Sequence, residues 1–376
     1  MNVLLIGNYP LDKQESMLRF ALMMKTGLEE RENFEVRILQ PKSILAKFFP
    51  KSADLQKWLG YIDKFLLFPA QLKAALPWAD VVHICDHSNA IYTSYLQKIP
   101  HIVTCHDLLA IRGALGEDTD CPASATGKIL QHWILNGLKK ARLIACDSSY
   151  TRADAIRLLQ GAVPEANIRL VLLGMNHCYQ VLPEDEVNQR LAVFEELPLS
   201  YPYLLHVGSS LPRKNRDGIL RIFHRIRNQW PGYLVFAGQK LSAELEHLVQ
   251  ELSLGDRVIQ LAGISNEQLE ALYNRAFALL FPSRSEGFGW PVIEAQACGC
   301  PVLCSDRCSV PEVAGSGAMI IPIEDEETYA AKLLSLQDPD IRQHWIQAGF
   351  DNLSRFENRL MIDRYIALYQ AVQSSV

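Results

Sequence analysis

Short apolar runs alternate with amphipathic stretches along nearly the whole chain. In the first half the runs are NVLLIGN (2–8), FEVRILQ (34–40), DVVHICD (80–86), HIVTCHD (101–107), RLIACDS (142–148) and IRLVLLG (168–174). In the second half they are YLLHVGS (203–209), YLVFAG (233–238), RVIQLAG (257–263), FALLFPS (277–283), PVLCSD (301–306) and AMIIPI (318–323). Runs of this length, closed by Gly, Asp, Ser or Pro and separated by helical patterns, predict buried parallel strands joined by crossover helices. Repeated strand–helix alternation predicts an α/β fold of two Rossmann-like, doubly wound parallel-sheet domains. The intervening stretch is polar, acidic and proline-containing, so the expected division is a domain over 1–178, a linker over 179–202 and a second domain over 203–356. The carboxyl ends of two such sheets are expected to face across a cleft that holds the ligands. The last pattern, ENRLMIDRYIALYQAVQ (357–373), is apolar on one face and predicts a buried helix.

Length and composition fit this picture. A chain of 376 residues suits two cores rather than one. Its apolar fraction of 49% and charged fraction of 21% are those of a globular protein, and a net charge of −5 offers no general attraction to nucleic acid. MNVLLIGNYP lacks a basic region ahead of its apolar run and is read as a first strand, not a signal peptide. No apolar run approaches membrane-spanning length. Nine cysteines scattered through apolar segments suggest reduced thiols and a cytoplasmic location. Four of them, Cys298, Cys300, Cys304 and Cys308, lack paired zinc-type spacing and are expected to be buried small side chains.

The candidate chemistry concentrates in SRSEGFGWPVIEAQACGCPV (283–302). FALLFPS ends as a strand, and WPVIEAQACG (290–299) has the Pro and Gly of a helix start and stop. Glu286 therefore stands at a strand mouth and Glu294 one turn into the following helix. Ligands of open parallel sheets collect at carboxyl ends of strands, and helix N-termini favour anions. Gly287 and Gly289 let backbone amides approach a phosphate. Glu294 would repel a phosphate but can accept from paired sugar hydroxyls, which suits a ribose clamp. On local pattern alone, a capping Glu286 and a solvated Glu294 are the alternative.

HVGSSLPRKNRDGIL (206–220) supplies cations at the same kind of edge: Gly208 ends the strand, and Arg213 and Lys214 precede a helix. Together they can offset the charge of a diphosphate leaving a sugar without a metal. A dinucleotide fingerprint is absent, since neither GNYPLDKQES nor GSSLPRKN fits G-x-G-x-x-G. Asp12 and Glu15 form a D-x-x-E capping arrangement. His87 and His106 close two strands, where an imidazole can hydrogen-bond a sugar through either ring nitrogen; a satisfied, structural core histidine is the alternative for each. Asp118 and Asp120 form a D-x-D pair in a loop away from any strand end, so no metal site is expected there. Residues 42–75 combine six lysines with Phe48, Phe49, Trp58, Tyr61, Phe65 and Phe68, a composition that suits either a domain core or contact with an anionic membrane surface.

These residues, above all PSRSEGFGWPVIEAQACGCPVLCSDRCSVPEVAG, resemble the E-x7-E segment of retaining glycosyltransferases of family 4, which have the GT-B fold. VGSSLPRKN and TCHD fall in that family's order. The resemblance implies that Arg213 and Lys214 hold the diphosphate, Glu294 the ribose hydroxyls, the Gly287–Phe288–Gly289 backbone the sugar and phosphates, and Glu286 the sugar hydroxyls. It places the base against LAGIS (261–265), including Gly263 and Ile264, and His106 beside the reacting carbon. The implied catalytic set is His106, Arg213, Lys214 and Glu286. The final helix, 357–376, is implied to return to the first domain. Trp290 departs from the smaller aliphatic usual in that family.

The implied activity is retaining, metal-independent transfer of a mannose- or glucose-type hexose. The donor would be a GDP- or UDP-sugar, used as co-substrate with no further cofactor, and the acceptor a glycan or lipid-linked glycan of a bacterial-type surface polysaccharide. The expected location is cytoplasmic, with peripheral contact at the inner face of the plasma membrane through 42–75. A sugar-nucleotide epimerase and a non-catalytic nucleotide- or glycan-binding protein are the alternatives.

Overall fold

A computed structural model describes residues 1–12, 14–45 and 53–374. It divides into two units, one formed by Met1–Asn176 with Asn358–Val376 and the other by His177–Glu357.

Unit 1 contains six strands: β1 (Asn2–Ile6), β2 (Glu35–Leu39), β3 (Val81–Ile84), β4 (His101–Cys105), β5 (Leu143–Cys146) and β6 (Ile168–Leu170). All pair in parallel in the order β2-β1-β3-β4-β5-β6. Unit 2 contains β7 (Tyr203–Gly208), β8 (Tyr233–Gly238), β9 (Val258–Leu261), β10 (Ala278–Phe281), β11 (Val302–Ser305) and β12 (Met319–Ile321). Their order is β12-β11-β10-β7-β8-β9, again parallel throughout. Each of the twelve apolar runs contains one strand.

Sequence pattern and sheet position agree. Interior strands such as VVHI, HIVTC, LIAC, ALLF and VLCS are buried at every residue, because helices cover both faces of a parallel sheet. The four edge strands β2, β6, β9 and β12 have mixed burial, and three of them carry Arg37, Arg169 or Gln260 within the run. Strand order reverses between β1 and β3 in unit 1 and between β7 and β10 in unit 2. At such reversals the outgoing loops diverge and leave a crevice at the carboxyl edge.

Two local expectations are corrected, and a third is resolved residue by residue. The segment read as a linker, 179–202, contains the helix Glu184–Leu191, whose Val187 and Leu191 lie one turn apart and are buried. Arg190 on that helix pairs with buried Glu270 at 2.6 Å, which ties the segment into unit 2. The Asp12–Glu15 cap does not form: Gln14 precedes the helix Glu15–Glu29 without a side-chain cap, and Asp12 instead pairs with Lys64 at 3.0 Å. Of the aromatics in 42–75, Phe68 is buried and Trp58 exposed, while Phe48 and Phe49 lie outside the described residues.

The terminal helix Asn358–Gln373 packs on unit 1. Tyr365 Oη lies 2.9 Å from Thr104 Oγ1, and Tyr369 Oη lies 2.8 Å from Nδ1 of His83, all buried. Elsewhere in unit 1, the helix Ala125–Leu138 crosses the 3₁₀ segment His87–Tyr95 at Gly137, where an added Cβ would come within 2.3 Å of the Ala90 carbonyl oxygen. Gly137→Ala is expected to destabilise the protein by about 1–3 kcal/mol through this backbone clash. Urea denaturation measures the loss.

Candidate active site

The reversal point of unit 2 brings together the loops after β7 and β10. Gly208 ends β7, and the 3₁₀ turn Pro212–Lys214 follows before the helix Arg216–Ile226. After β10 the chain runs through Ser283–Glu286 to Gly289, which takes a left-handed conformation (φ +106°) and caps the helix Trp290–Ala297. An L side chain at Gly289 would be strained, so the turn that aims this helix start needs glycine.

Glu286 joins the two loops. Lys214 Nζ donates to Glu286 Oε1 at 2.6 Å, and Arg213 Nη1 donates to Oε2 at 2.8 Å. Arg213 Nη1 also donates to the Ser285 carbonyl at 3.1 Å. Lys214 and Glu286 are both buried. The Lys214 ammonium lies 5.1 Å from the centre of the Phe281 ring. An added Cβ at Gly208 would stand 3.2 Å from Lys214 Cε, so the missing side chain makes room for the lysine.

Electrostatics favour a charged cluster. Burial penalises the Glu286 carboxylate, but Lys214 and Arg213 outweigh that penalty and hold it below its ordinary value of 4.5. Burial, helped by the charges of Arg213 and Arg216, pulls Lys214 below its ordinary value against the opposing pull of Glu286.

Glu294 is buried rather than solvated, and Tyr273 donates its hydroxyl to Oε2 at 2.8 Å. The capping role is also excluded for Glu286, because Gly289 is the N-cap and makes no side-chain cap bond. Gly263 (φ +69°) and Ile264 form the turn between β9 and the capping box at Ser265, on the same carboxyl edge.

In unit 1, His106 follows β4 and is buried. Its Nδ1 lies 3.1 Å from Asp147 Oδ2 and its Nε2 2.9 Å from the Cys85 carbonyl. Both ring nitrogens are engaged within the unit, so the expectation that either one is available to a sugar is not met. A carboxylate at Nδ1 and a carbonyl at Nε2 favour the protonated ring. Burial alone would lower its pKa, but Asp147, Asp86 and the Cys85 carbonyl raise it above the ordinary value of 6.5. Burial lifts Asp147 to about 6, against the pull of His106. His87 Nδ1 stands 3.1 Å from Asp86 Oδ1, and Asn8 Nδ2 donates to Asp86 Oδ2 at 2.5 Å across the reversal point of this sheet.

Asp118 and Asp120 are exposed, and all nine cysteines are free. Among the described residues no group of three or more His, Cys, Asp or Glu side chains is arranged to hold a metal ion.

Comparison with known proteins places this geometry. The family profile of the glycosyl transferases group 1 matches residues 188–351. The O-antigen chain mannosyltransferase B of Escherichia coli is 31% identical over 323 residues, covering 81% of each chain. The chain belongs to the glycosyl transferases of group 1. The D-inositol 3-phosphate glycosyltransferase of Acidothermus cellulolyticus is 25% identical over 311 residues, 78% of this chain and 67% of that one. Among solved structures, sucrose-phosphate synthase from Thermosynechococcus elongatus superposes with a TM-score of 0.76 at 19% identity over the whole of both chains. Anabaena HepE in complex with UDP gives 0.73 at 12% identity over 99% and 100%. Two parallel-sheet units of this kind are the GT-B fold.

Several residues of this glycosyltransferase escaped sequence reading. Arg216 is buried and straps the loop ends by donating to the carbonyls of Gly208 and Gln239, each at 2.7 Å. Ser309 Oγ lies 2.9 Å from the Glu286 carbonyl and 3.0 Å from that of Phe288, which fixes the backbone between strand and helix. Neither residue has a local signal, since Ser309 acts on a loop more than twenty residues away and Arg216 ties its own loop to the one after β8. Asp147 did have one: it closes β5 in IACDSS, at the same edge as His106.

Glu286→Gln is expected to cost about 3–5 kcal/mol, because it leaves the buried Lys214 without its counter-charge. The depressed carboxyl contributes stability that is fully present above pH 4.5 and lost as pH falls through the lower folded-state value. Urea unfolding of both proteins across pH 3–7 should show the two curves converging at the acidic end. A second expectation concerns His106: in Asp147→Asn its imidazole should titrate at lower pH than in the wild type, as read by NMR of the ring protons.

Proposed function

We propose that the protein transfers a mannose- or glucose-type hexose from a nucleoside-diphosphate sugar to a glycan or lipid-linked acceptor, with retention of configuration, in assembly of a surface polysaccharide. The observation that carries the reading is the cluster of buried Lys214 and Glu286 with half-buried Arg213 beside the helix start at Trp290, at the reversal point of a parallel sheet. The name of the O-antigen chain mannosyltransferase supports a mannose-type sugar and a polysaccharide acceptor, and the complexes of HepE with UDP and with UDP-glucose support a nucleotide-sugar donor.

In this reading the diphosphate lies against Arg213, Lys214 and the amides of the 287–289 turn. Glu286 keeps both cations in place before binding and takes sugar hydroxyls as the phosphates take over its partners. Glu294, held by Tyr273, accepts from the ribose hydroxyls, and the base rests against Gly263 and Ile264. The bond between the anomeric carbon and the phosphate oxygen breaks, and the acceptor hydroxyl attacks from the same face. Its proton passes to the departing phosphate. Two fixed cations, one buried and one half-buried, stabilise the developing charge, a task that requires no metal.

Lys214→Ala should lower kcat/KM by about 10²–10³-fold. Glu294→Gln should weaken binding of UDP or GDP in calorimetry, and NMR of the product should show the anomeric configuration of the donor. A chelator should leave turnover unchanged. Full activity of Lys214→Ala, or an inverted product, would overturn the reading.

A further inference from the structure

One face of unit 1 exposes apolar side chains that its core does not use. The helix Ala53–Ile62 runs without a break into the π-helical turn Asp63–Leu67 and the helix Phe68–Ala75. Phe68 and Leu72 point into the core, and the Asp63 carboxylate is buried against the Tyr9 hydroxyl at 2.9 Å. Outward, at four-residue spacing, stand Trp58 (60% exposed), Ile62 (38%) and Leu66 (71%). The helix Ala125–Leu138 behaves alike: Ile134, Leu135 and Leu138 are buried, whereas Ile129 (71% exposed) and Trp133 (46%) face solvent.

The two exposed stripes are one surface. Ring centroids of Trp58 and Tyr61 lie 5.7 Å apart, those of Tyr61 and Phe65 5.5 Å, and those of Phe65 and Trp133 4.9 Å, so a row of aromatics joins the helices. Its charge is one-sided. Residues 53–75 carry Lys57, Lys64 and Lys73 against Asp54 and buried Asp63, and residues 125–142 carry Lys128, Lys139, Lys140 and Arg142 with no Asp or Glu. Lys64 pairs with Asp12, which is the acidic neighbour of the face on this side, and Asp118 and Asp120 precede the second helix. A basic, Trp-containing apolar face on a chain of net charge −5 is a local reversal of sign.

We propose that this face, built on Trp58, Ile62, Leu66, Ile129 and Trp133 and flanked by lysines, docks on the surface of an anionic lipid bilayer. Large apolar side chains enter the headgroup boundary, aromatic rings rest at that level, and ammonium groups meet lipid phosphates. A second copy of the same face is a poorer occupant, since it would set lysines against lysines. The inference does not depend on the sugar-transfer reading, because none of these residues belongs to the nucleotide site.

The full chain is mixed with vesicles of phosphatidylglycerol and phosphatidylcholine, or of phosphatidylcholine alone, and bound protein is separated by flotation. The wild type should bind the anionic vesicles, and less so as salt rises. The pairs Trp58→Ser with Leu66→Ser, and Ile129→Ser with Trp133→Ser, should each reduce partitioning at least about tenfold. Unfolding midpoints and UDP or GDP affinity of the variants should stay at wild-type values, which separates this test from failure of the nucleotide site. Undiminished binding by both pairs, or equal binding to both vesicle types at all salt concentrations, would overturn the proposal. So would a wild-type dimer in sedimentation that the variants dissolve while no vesicle binding is seen.

Discussion

A buried carboxylate that must be shared by two cations is the constraint on which unit 2 is built. Glu286 has lost its water, and an isolated charge in that position would cost several kcal/mol. Arg213 and Lys214 make it tolerable, each taking one oxygen. They can do so because the loops after β7 and β10 leave adjacent strands at the point where strand order reverses. The same need explains features that look unrelated. Gly208 gives Lys214 room, Gly289 turns the chain into the next helix, and Ser309 and Arg216 secure the two loops. The cluster holds two positive charges against one negative charge at this strand edge.

Unit 1 solves a related problem with different chemistry. Its reversal point is spanned by Asn8 and Asp86, and the neighbouring strand end carries His106 between Asp147 and a backbone carbonyl. The imidazole is thereby held in a defined ring plane, with both nitrogens turned to protein partners that favour its protonated form. What it offers to its surroundings is a rigid strand end. The hydrogen bond that its position in the sequence suggested is already in use.

The two sheets were legible in the sequence because a parallel strand covered by helices on both faces is buried at every position and therefore mostly apolar, and such runs are short and sharply bounded. Even sheet position left a trace, since Arg37, Arg169 and Gln260 interrupt runs that became edge strands. The residues after β7 and β10 were legible for a related reason: glycine, proline and paired charges at a strand end have few structural uses. Less legible was the stretch 179–202, where a net acidic composition concealed the Val187–Leu191 pair that packs a helix onto unit 2.

Sequence by itself therefore determined the alternation of strands and helices, the two α/β units, and the candidate residues Arg213, Lys214, Glu286 and Glu294, because burial and turn geometry write themselves into short stretches. Tertiary structure alone decided their partners: that Glu286 is shared by both cations, that Glu294 is held by Tyr273, and that both nitrogens of His106 are spoken for. It also decided that Trp58 and Trp133 lie in one exposed row. Each of these pairings joins residues from 21 to 73 positions apart or relies on which face of a helix the core leaves uncovered. Such facts are set by strand order and packing, and no local pattern carries them.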